Sequence, residues 1–139
     1  MTSRLNPYLT FDGNAREAME FYRSVFGGDL TVNTFGEFGA PDSEVADKVM
    51  HAQLLTGHGY ALMASDTAPG MPMPFNPGTN ITCSLSGDAG DGLHDIWSRL
   101  VVGGTVTMAL EKQMWGDEFG QCVDRFGIPW MVNIAQPAG

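Results

Sequence analysis

The sequence predicts an α+β fold built from two paired βαβββ modules. Two stretches of the 139-residue chain read alike, PYLTFDGNAREAMEFYRSVFGG and ITCSLSGDAGDGLHDIWSRLVVGG. Each runs from an alternating apolar segment, through a turn rich in Gly, Asn and Asp, to a helical pattern and a Gly-Gly pair. The two Gly-Gly pairs lie about half a chain length apart. Shared order, spacing and stop signals therefore predict an internal repeat.

The first helix has a start signal, a buried stripe and a stop signal. Asn14 is the expected N-cap, with Glu17 three residues on in a variant of the capping box. Gly27 can adopt the left-handed conformation that ends a helix. Four residues at i, i+3, i+4 and i+7 spacing form the expected buried stripe: Ala18, Phe21, Tyr22 and Val25.

The second helix repeats these signals. Gly103 takes the place of the stop residue, and the same spacing gives a second buried stripe. Its members are Leu93, Ile96, Trp97 and Leu100.

Three strands are expected after each helix, joined by Gly-containing hairpin turns. In the first half they span residues 29–36, 48–56 and 59–65. In the second half they span residues 105–110, 118–125 and 128–135. The opening strands are expected from Pro7 and from Ile81.

A proline-rich segment, residues 66–78, separates the halves and reads DTAPGMPMPFNPG. Four prolines exclude regular helix and central strand, so we interpret it as a linker between module one, about 5–65, and module two, about 79–136. We expect both modules to share one domain, 1–139. Met71, Met73 and Phe75 are apolar for a linker, which leaves open packing against a module edge or a lid over a pocket.

Composition and charge exclude several classes of function. Lys and Arg number 7 against 16 Asp and Glu, a net charge of −9, so the chain repels phosphate backbones and anionic lipid surfaces. No apolar run approaches the roughly 18 residues of a membrane span, and the N-terminus lacks the apolar segment of a secretory signal. Cys83 and Cys122 form no C-x-x-C pair, which favours a reducing compartment. We expect a soluble, cytoplasmic protein with no nucleic-acid or membrane partner.

The chain resembles the PhnB-like branch of the vicinal-oxygen-chelate superfamily, which includes glyoxalase I, bleomycin-resistance proteins and extradiol dioxygenases. The resemblance rests on PYLTFDGNAREAMEFYRSVFGG and FGQCVDRFGIPWMVN, and MHAQLLTGHGYALMASD and ITCSLSGD fit the same pattern. It implies that each module forms an open half-barrel sheet with a helix on its outer face, that the halves enclose a cleft, and that the protein is a homodimer. Because the superfamily carries many activities on one fold, the resemblance does not fix the function.

The resemblance also implies positions for a metal site, since enzymes of this superfamily hold a divalent cation with His and Glu from the first and last strands of each module. Carried over strand by strand, those positions fall at Pro7, Met63, Asn80 and Asn133. A shift of one register position gives Asn6, Leu62, Ile81 and Val132. Neither set supplies the imidazole or carboxylate donors that such a cation needs. We therefore expect no glyoxalase-type metal and no cofactor.

Other polar side chains remain as candidates for a ligand pocket. His51 and Gln53 lie two positions apart in the strand VMHAQLL and so share a face, while Met50, Ala52 and Leu54 should pack under the helices. His51 could serve as an acid, a base or a polar anchor, or as a hydrogen-bonded strand histidine without chemistry. The pocket candidates are His51, Gln53, Asn80, Trp115 and Asn133.

The remaining reactive residue types give weaker signals. His58 and His94 are expected in solvent, and the histidines lack H-x-H and H-x-x-x-H spacing. The two cysteines lie in apolar strands, where thiols usually act as small hydrophobes. Asp117 and Glu118 are interpreted as an exposed turn or as the rim of a cleft.

Three functions stay open. The first is a protein that binds a small apolar or aromatic ligand in a cleft, without a glyoxalase-type metal. The second is an enzyme, either a lyase or dioxygenase with shifted metal ligands or a metal-free enzyme that uses His51 as acid or base. The third is a structural dimer that has lost its activity.

Overall fold

The computed structural model describes residues 3–39, 42, 44–68 and 75–137. The chain divides into two compact units, Met1–Asn76 and Pro77–Gly139. Of the linker residues singled out above, Met71 and Met73 lie outside the described residues, and Phe75 is 44% exposed. Asp66, expected at the start of the linker, is instead the last residue of a strand.

The first unit contains one helix and a four-stranded sheet. Its elements are β1 (Tyr8–Phe11), α1 (Ala15–Phe26), β2 (Asp29–Thr34), β3 (Val49–Leu55) and β4 (Ala61–Asp66). The strand order is β1-β4-β3-β2, with β1 parallel to β4 and the other neighbours antiparallel.

The second unit repeats this topology. Its elements are β5 (Cys83–Asp88), α2 (Leu93–Leu100), β6 (Thr105–Lys112), β7 (Glu118–Val123) and β8 (Pro129–Ala135). The strand order is β5-β8-β7-β6, with β5 parallel to β8. The two βαβββ modules, each with an open sheet, are therefore confirmed.

Element boundaries differ from expectation by a few residues. β2 ends at Thr34 and not at residue 36, and the first strands begin at Tyr8 and Cys83 and not at Pro7 and Ile81. In the part of the chain that the structure describes, neither helix has the length and apolar character needed to cross a membrane.

The core of the first unit lies between α1 and one face of its sheet. The helix buries Ala15, Ala18, Met19, Tyr22, Val25 and Phe26. Phe21, which was expected in this stripe, is only half-buried. The buried stripe is centred on Ala18 and Tyr22. It therefore includes Met19 and Phe26 and leaves Phe21 at its edge. Gly27 ends the helix with φ of 75°, and its N–H donates to the carbonyl of Arg23 at 2.7 Å.

The start of α1 is capped from a distance and not by the expected local capping box. Asn14 forms no side-chain cap hydrogen bond. The carboxylate of Asp66, 1% exposed, accepts instead. Its Oδ1 accepts from the N–H groups of Gly13 and Ala15, both at 2.9 Å, and its Oδ2 accepts from the N–H of Val49 at 2.9 Å. One side chain thus satisfies backbone donors at the helix start and at the start of β3.

Candidate functional site

Each sheet has one face that its own helix does not cover, which we call the open face. Side chains alternate between the faces, so residues beside the buried positions point to the open face. On β1, Leu9 and Phe11 are buried, and Tyr8, 50% exposed, lies on the open face. On β3, Ala52 and Leu54 are buried, while His51 and Gln53 are half-buried.

A β-bulge in β3 alters the expected alternation. Asn33 pairs with His51, but the next residue of β2, Thr34, pairs with Val49, which leaves Met50 as the extra residue. Val49 is therefore buried at 1% exposure and Met50 is half-buried. The expectation that Met50 packs under the helix was wrong, because the bulge shifts the inward position by one residue.

Tyr8 and His51 form a polar pair on the open face of the first sheet. The Tyr8 hydroxyl and His51 Nδ1 are 3.0 Å apart, and the ring centroids are 5.7 Å apart. Sequence reasoning identified His51 and missed Tyr8. The alternation of YLTF around buried Leu9 and Phe11 was the signal that could have found it.

The open faces of the two sheets carry rows of register partners that agree at two of their four positions. In the first sheet the row is Thr31, Gln53, Met63 and Tyr8. In the second sheet it is Met108, Gln121, Met131 and Ser84. A glutamine on the third strand and a methionine on the fourth thus hold equivalent places in both units.

A cavity of about 570 Å³ that is open to solvent lies at the end of the first sheet, lined by residues 4–6, 55–56 and 59–61. Leu55 and Ala61 are register partners. Each lies two positions from Gln53 or Met63 along its strand, so both are on the open face. The cavity therefore adjoins the open face one strand repeat, about 7 Å, from Gln53. Its lining combines apolar side chains with a guanidinium, an amide and a hydroxyl.

Tyr60 is among the residues that line this cavity, and two neighbouring rings hold its side chain in place. Its ring packs edge-on against Phe26 at a centroid distance of 5.9 Å and stacks on His58 at 5.0 Å. Its N–H donates to Thr56 Oγ1 at 3.2 Å, and its carbonyl accepts from the N–H of Thr56 at 3.1 Å. His58, expected in solvent, is exposed but stacked.

The remaining pocket candidates belong to the second unit. Asn133 is half-buried on β8, and its Nδ2 donates to Asp117 Oδ2 at 3.1 Å. Trp115 is 57% exposed between β6 and β7 and packs against Phe119 at a centroid distance of 5.8 Å. Asn80 is exposed and precedes β5 by three residues, so the expectation that the opening strand carries it was wrong.

Asp117 and Glu118 are partners of other side chains and do not form an exposed turn. Both are half-buried, and Glu118 begins β7. Glu118 Oε2 lies 2.9 Å from His94 Nε2, which makes His94 part of an ion pair when it is protonated. Gln136 bridges the two carboxylates, since its N–H donates to Asp117 and its Nε2 donates to Glu118, both at 3.3 Å.

The two thiols flank one tryptophan. Cys83 on β5 and Cys122 on β7 are both register partners of Trp130 on β8, which places them two strand spacings apart, roughly 9.6 Å. That separation exceeds the reach of a disulfide. Burial, assisted by the charge of Asp124, raises the pKa of the Cys83 thiol, and the same causes raise the pKa of Cys122 to about 11. Both thiols are thus poor nucleophiles.

The four positions implied for a metal do not fit a hard divalent cation. Pro7 offers only its backbone carbonyl, which accepts from the N–H of Met63 at 3.2 Å, and the thioether of Met63 is a soft ligand. Asn133 is bonded to Asp117, and Asn80 lies outside the strands. Across residues 3–39, 42, 44–68 and 75–137, no three His, Cys, Asp or Glu side chains group as metal ligands would.

Comparison with known proteins identifies the family. The family model described as 3-demethylubiquinone-9 3-methyltransferase matches residues 3–133. Protein YjdN of Escherichia coli is 28% identical over 95% of this chain and 95% of its own length. The crystal structure of PA1353 from Pseudomonas aeruginosa has 38% identity and a TM-score of 0.83, covering 98% of this chain and 100% of that one.

Two further structures are similar in fold. A PhnB protein from Bacillus cereus, given the same methyltransferase description, has 24% identity and a TM-score of 0.72 over 96% of this chain and 100% of its own. A glyoxylase/bleomycin resistance protein/dioxygenase domain from Frankia has 16% identity and a TM-score of 0.64, covering 100% of this chain and 96% of that one.

Proposed function

Because the chain belongs to the PhnB-like family, described as 3-demethylubiquinone-9 3-methyltransferase, and has the glyoxalase/bleomycin resistance/dioxygenase fold, we propose that it binds a small apolar or aromatic molecule on the open face of its first sheet. The observation that carries this proposal is the cavity of about 570 Å³ beside that face. Its volume falls in the range of small-molecule sites.

The side chains around the cavity suit a ligand with an apolar body and a few polar groups. Leu55 and Ala61 offer apolar surface. Along the same face, Gln53 and the Tyr8–His51 pair offer donors and acceptors that can orient a ligand. The half-buried thioether of Met63 adds a polarizable surface that adapts to different shapes.

The test is an NMR titration of the full chain with a set of neutral aromatic fragments. We expect amide shifts at His51, Gln53 and Leu55. His51→Ala should weaken the affinity about three- to tenfold, because the net free energy of the lost hydrogen bond corresponds to a change of that size. His94→Ala, on α2 of the other unit, is the matched control and should leave the affinity unchanged. Shifts confined to residues 77–137, or none with any fragment, would contradict the proposal.

A second candidate function is metal-free acid–base chemistry by His51. The hydrogen bond between Tyr8 and His51 favours it, because a fixed partner at Nδ1 orients the imidazole and leaves Nε2 to exchange a proton with a ligand. If this holds, Tyr8→Phe should lower turnover more than it lowers ligand affinity. An enzyme with shifted metal ligands has no such observation in its favour.

We further propose that the protein is a cytoplasmic homodimer. Both cysteines are free thiols, as expected in a reducing compartment. The edge strand β6 exposes Val106 and Met108 at 45% and 43%, an unpaired apolar edge that a two-fold partner could cover. Sedimentation at micromolar concentration should give twice the chain mass of 15.0 kDa, and a monomer would contradict the proposal.

A further inference from the structure

The cavity of the first unit has an unusual charge for this chain. Asp and Glu outnumber Lys and Arg by 16 to 7, yet the residues that line the cavity include Arg4 and no carboxylate. Within the described part of the chain, no Asp or Glu forms an ion pair with Arg4. The one charged group among these lining residues is therefore a solvent-exposed cation that forms no ion pair with the described residues.

The position of Arg4 relative to the apolar lining limits which ligands could pair with its guanidinium group. Arg4 and Asn6 lie on the segment that enters β1, while Leu55 and Ala61 lie side by side on the hairpin of β3 and β4. A ligand that covers Leu55 and Ala61 therefore reaches Arg4 with one end. A planar guanidinium binds a carboxylate or a phosphate group through two parallel hydrogen bonds.

We propose that the ligand of this site is an amphipathic organic anion, with its oxyanion on Arg4 and its apolar body on Leu55 and Ala61. This inference rests on the proposed small-molecule site and adds the charge of the ligand. Asn6 supplies a second donor beside the guanidinium.

The test compares two probes that share a phenylpropyl body and differ in the end group, the anionic 4-phenylbutyrate and the neutral 4-phenyl-1-butanol, titrated into the full chain and followed by amide shifts. We expect the carboxylate to bind about three- to tenfold more tightly than the alcohol, because an ion pair at an open site is partly screened by water. Arg4→Gln should abolish this preference. Arg16→Gln removes an exposed cation from α1 outside the cavity and should preserve it.

The salt dependence gives an independent readout. The affinity of 4-phenylbutyrate should decrease when the NaCl concentration is raised from about 0.02 to 0.5 M, and the affinity of the alcohol should stay the same. Equal affinities for the two probes in the wild type, or a preference that survives Arg4→Gln, would overturn the anionic ligand while the small-molecule site stands. If neither probe shifts Gln53, Leu55 or Tyr60, both proposals fail.

Discussion

The Tyr8 hydroxyl and His51 Nδ1 are 3.0 Å apart although β4 separates their strands. Tyr8 and His51 are 43 residues apart in the chain. The tyrosine side chain reaches over the open face past the position of its own register partner, Met63. A polar pair on a sheet face that the helix leaves uncovered is a feature of a binding surface more than of a core.

Tyr8→Phe tests which of the two groups donates the proton. If the tyrosine donates, neutral His51 keeps its proton on Nε2, and loss of the hydroxyl should shift the tautomer balance. The measurement is the pair of imidazole ¹⁵N shifts in alkaline solution, at about pH 8.5. Because the pair is exposed, the free energy of unfolding should change by less than about 1 kcal/mol. Unchanged ¹⁵N shifts would mean that the bond does not set the tautomer.

Asp66→Ala should be strongly destabilising, and Asn14→Ala should not. Asp66 is buried and accepts three backbone N–H groups, so its loss leaves buried donors unpaired at a cost of roughly 3–5 kcal/mol. Asn14 makes no side-chain cap bond, so its replacement should cost less than about 0.5 kcal/mol. Urea denaturation of both variants checks the contrast. Equal losses of unfolding free energy in the two variants would mean that Asn14 contributes to the cap as much as Asp66 does.

Gly120→Ala should destabilise the second unit through a steric conflict. A Cβ at Gly120 would lie 2.9 Å from both Trp97 Cη2 and the Cα of Leu110, which forces either the ring or β6 to move at a cost of about 1–3 kcal/mol. Gly57→Ala is the control, since its Cβ would meet nothing within 4 Å and should change stability by less than about 0.5 kcal/mol. The tryptophan emission of the folded Gly120→Ala variant should also change, which Gly57→Ala should not reproduce.

Cys122 should make stability fall at alkaline pH. The folded state raises the pKa of its thiol from 9.0 to about 11, so the folded chain holds this proton to a higher pH than the unfolded chain does. The contribution is complete below pH 9 and is lost as the pH rises towards 11. The wild type should therefore lose more stability than Cys122→Ala over this window, by chemical denaturation. A parallel loss in both proteins would contradict the assignment.

Metal analysis of the protein purified without a tag should find less than about one-tenth equivalent of Zn²⁺, Ni²⁺ or Fe²⁺, because Pro7, Met63 and two asparagines are unsuited to hold them. A stoichiometric metal that disappears on Asn80→Ala together with Asn133→Ala would show that the amides suffice. Addition of these ions to the purified protein should likewise leave its melting temperature unchanged.

Local patterns in the sequence predicted the repeat, the order of elements in each module and the face shared by His51 and Gln53, because alternation and helical spacing are properties of neighbouring residues. They could not predict the bulge at Met50, since an extra residue becomes visible only when β2 and β3 pair. For the same reason the sequence assigned the helix cap to Asn14. The actual acceptor, Asp66, lies 51 residues from Ala15 and reaches it only through the parallel pairing of β1 and β4.

The site was harder to predict than the fold. Tyr8 and the cavity depend on which residues of distant strands become neighbours, and Arg4 has no motif of its own. Asn80 was placed on the opening strand of module two by carrying over the superfamily's ligand positions, yet that strand begins only at Cys83.

The division into two units separates the aromatic chromophores of the chain. All three tyrosines, Tyr8, Tyr22 and Tyr60, belong to Met1–Asn76, and all three tryptophans, Trp97, Trp115 and Trp130, belong to Pro77–Gly139. Emission excited near 295 nm, roughly where only indole absorbs, therefore comes from the second unit, and the tyrosine ring-proton NMR signals come from the first. The unlabelled wild-type chain can thus show whether its halves melt in one cooperative step or independently.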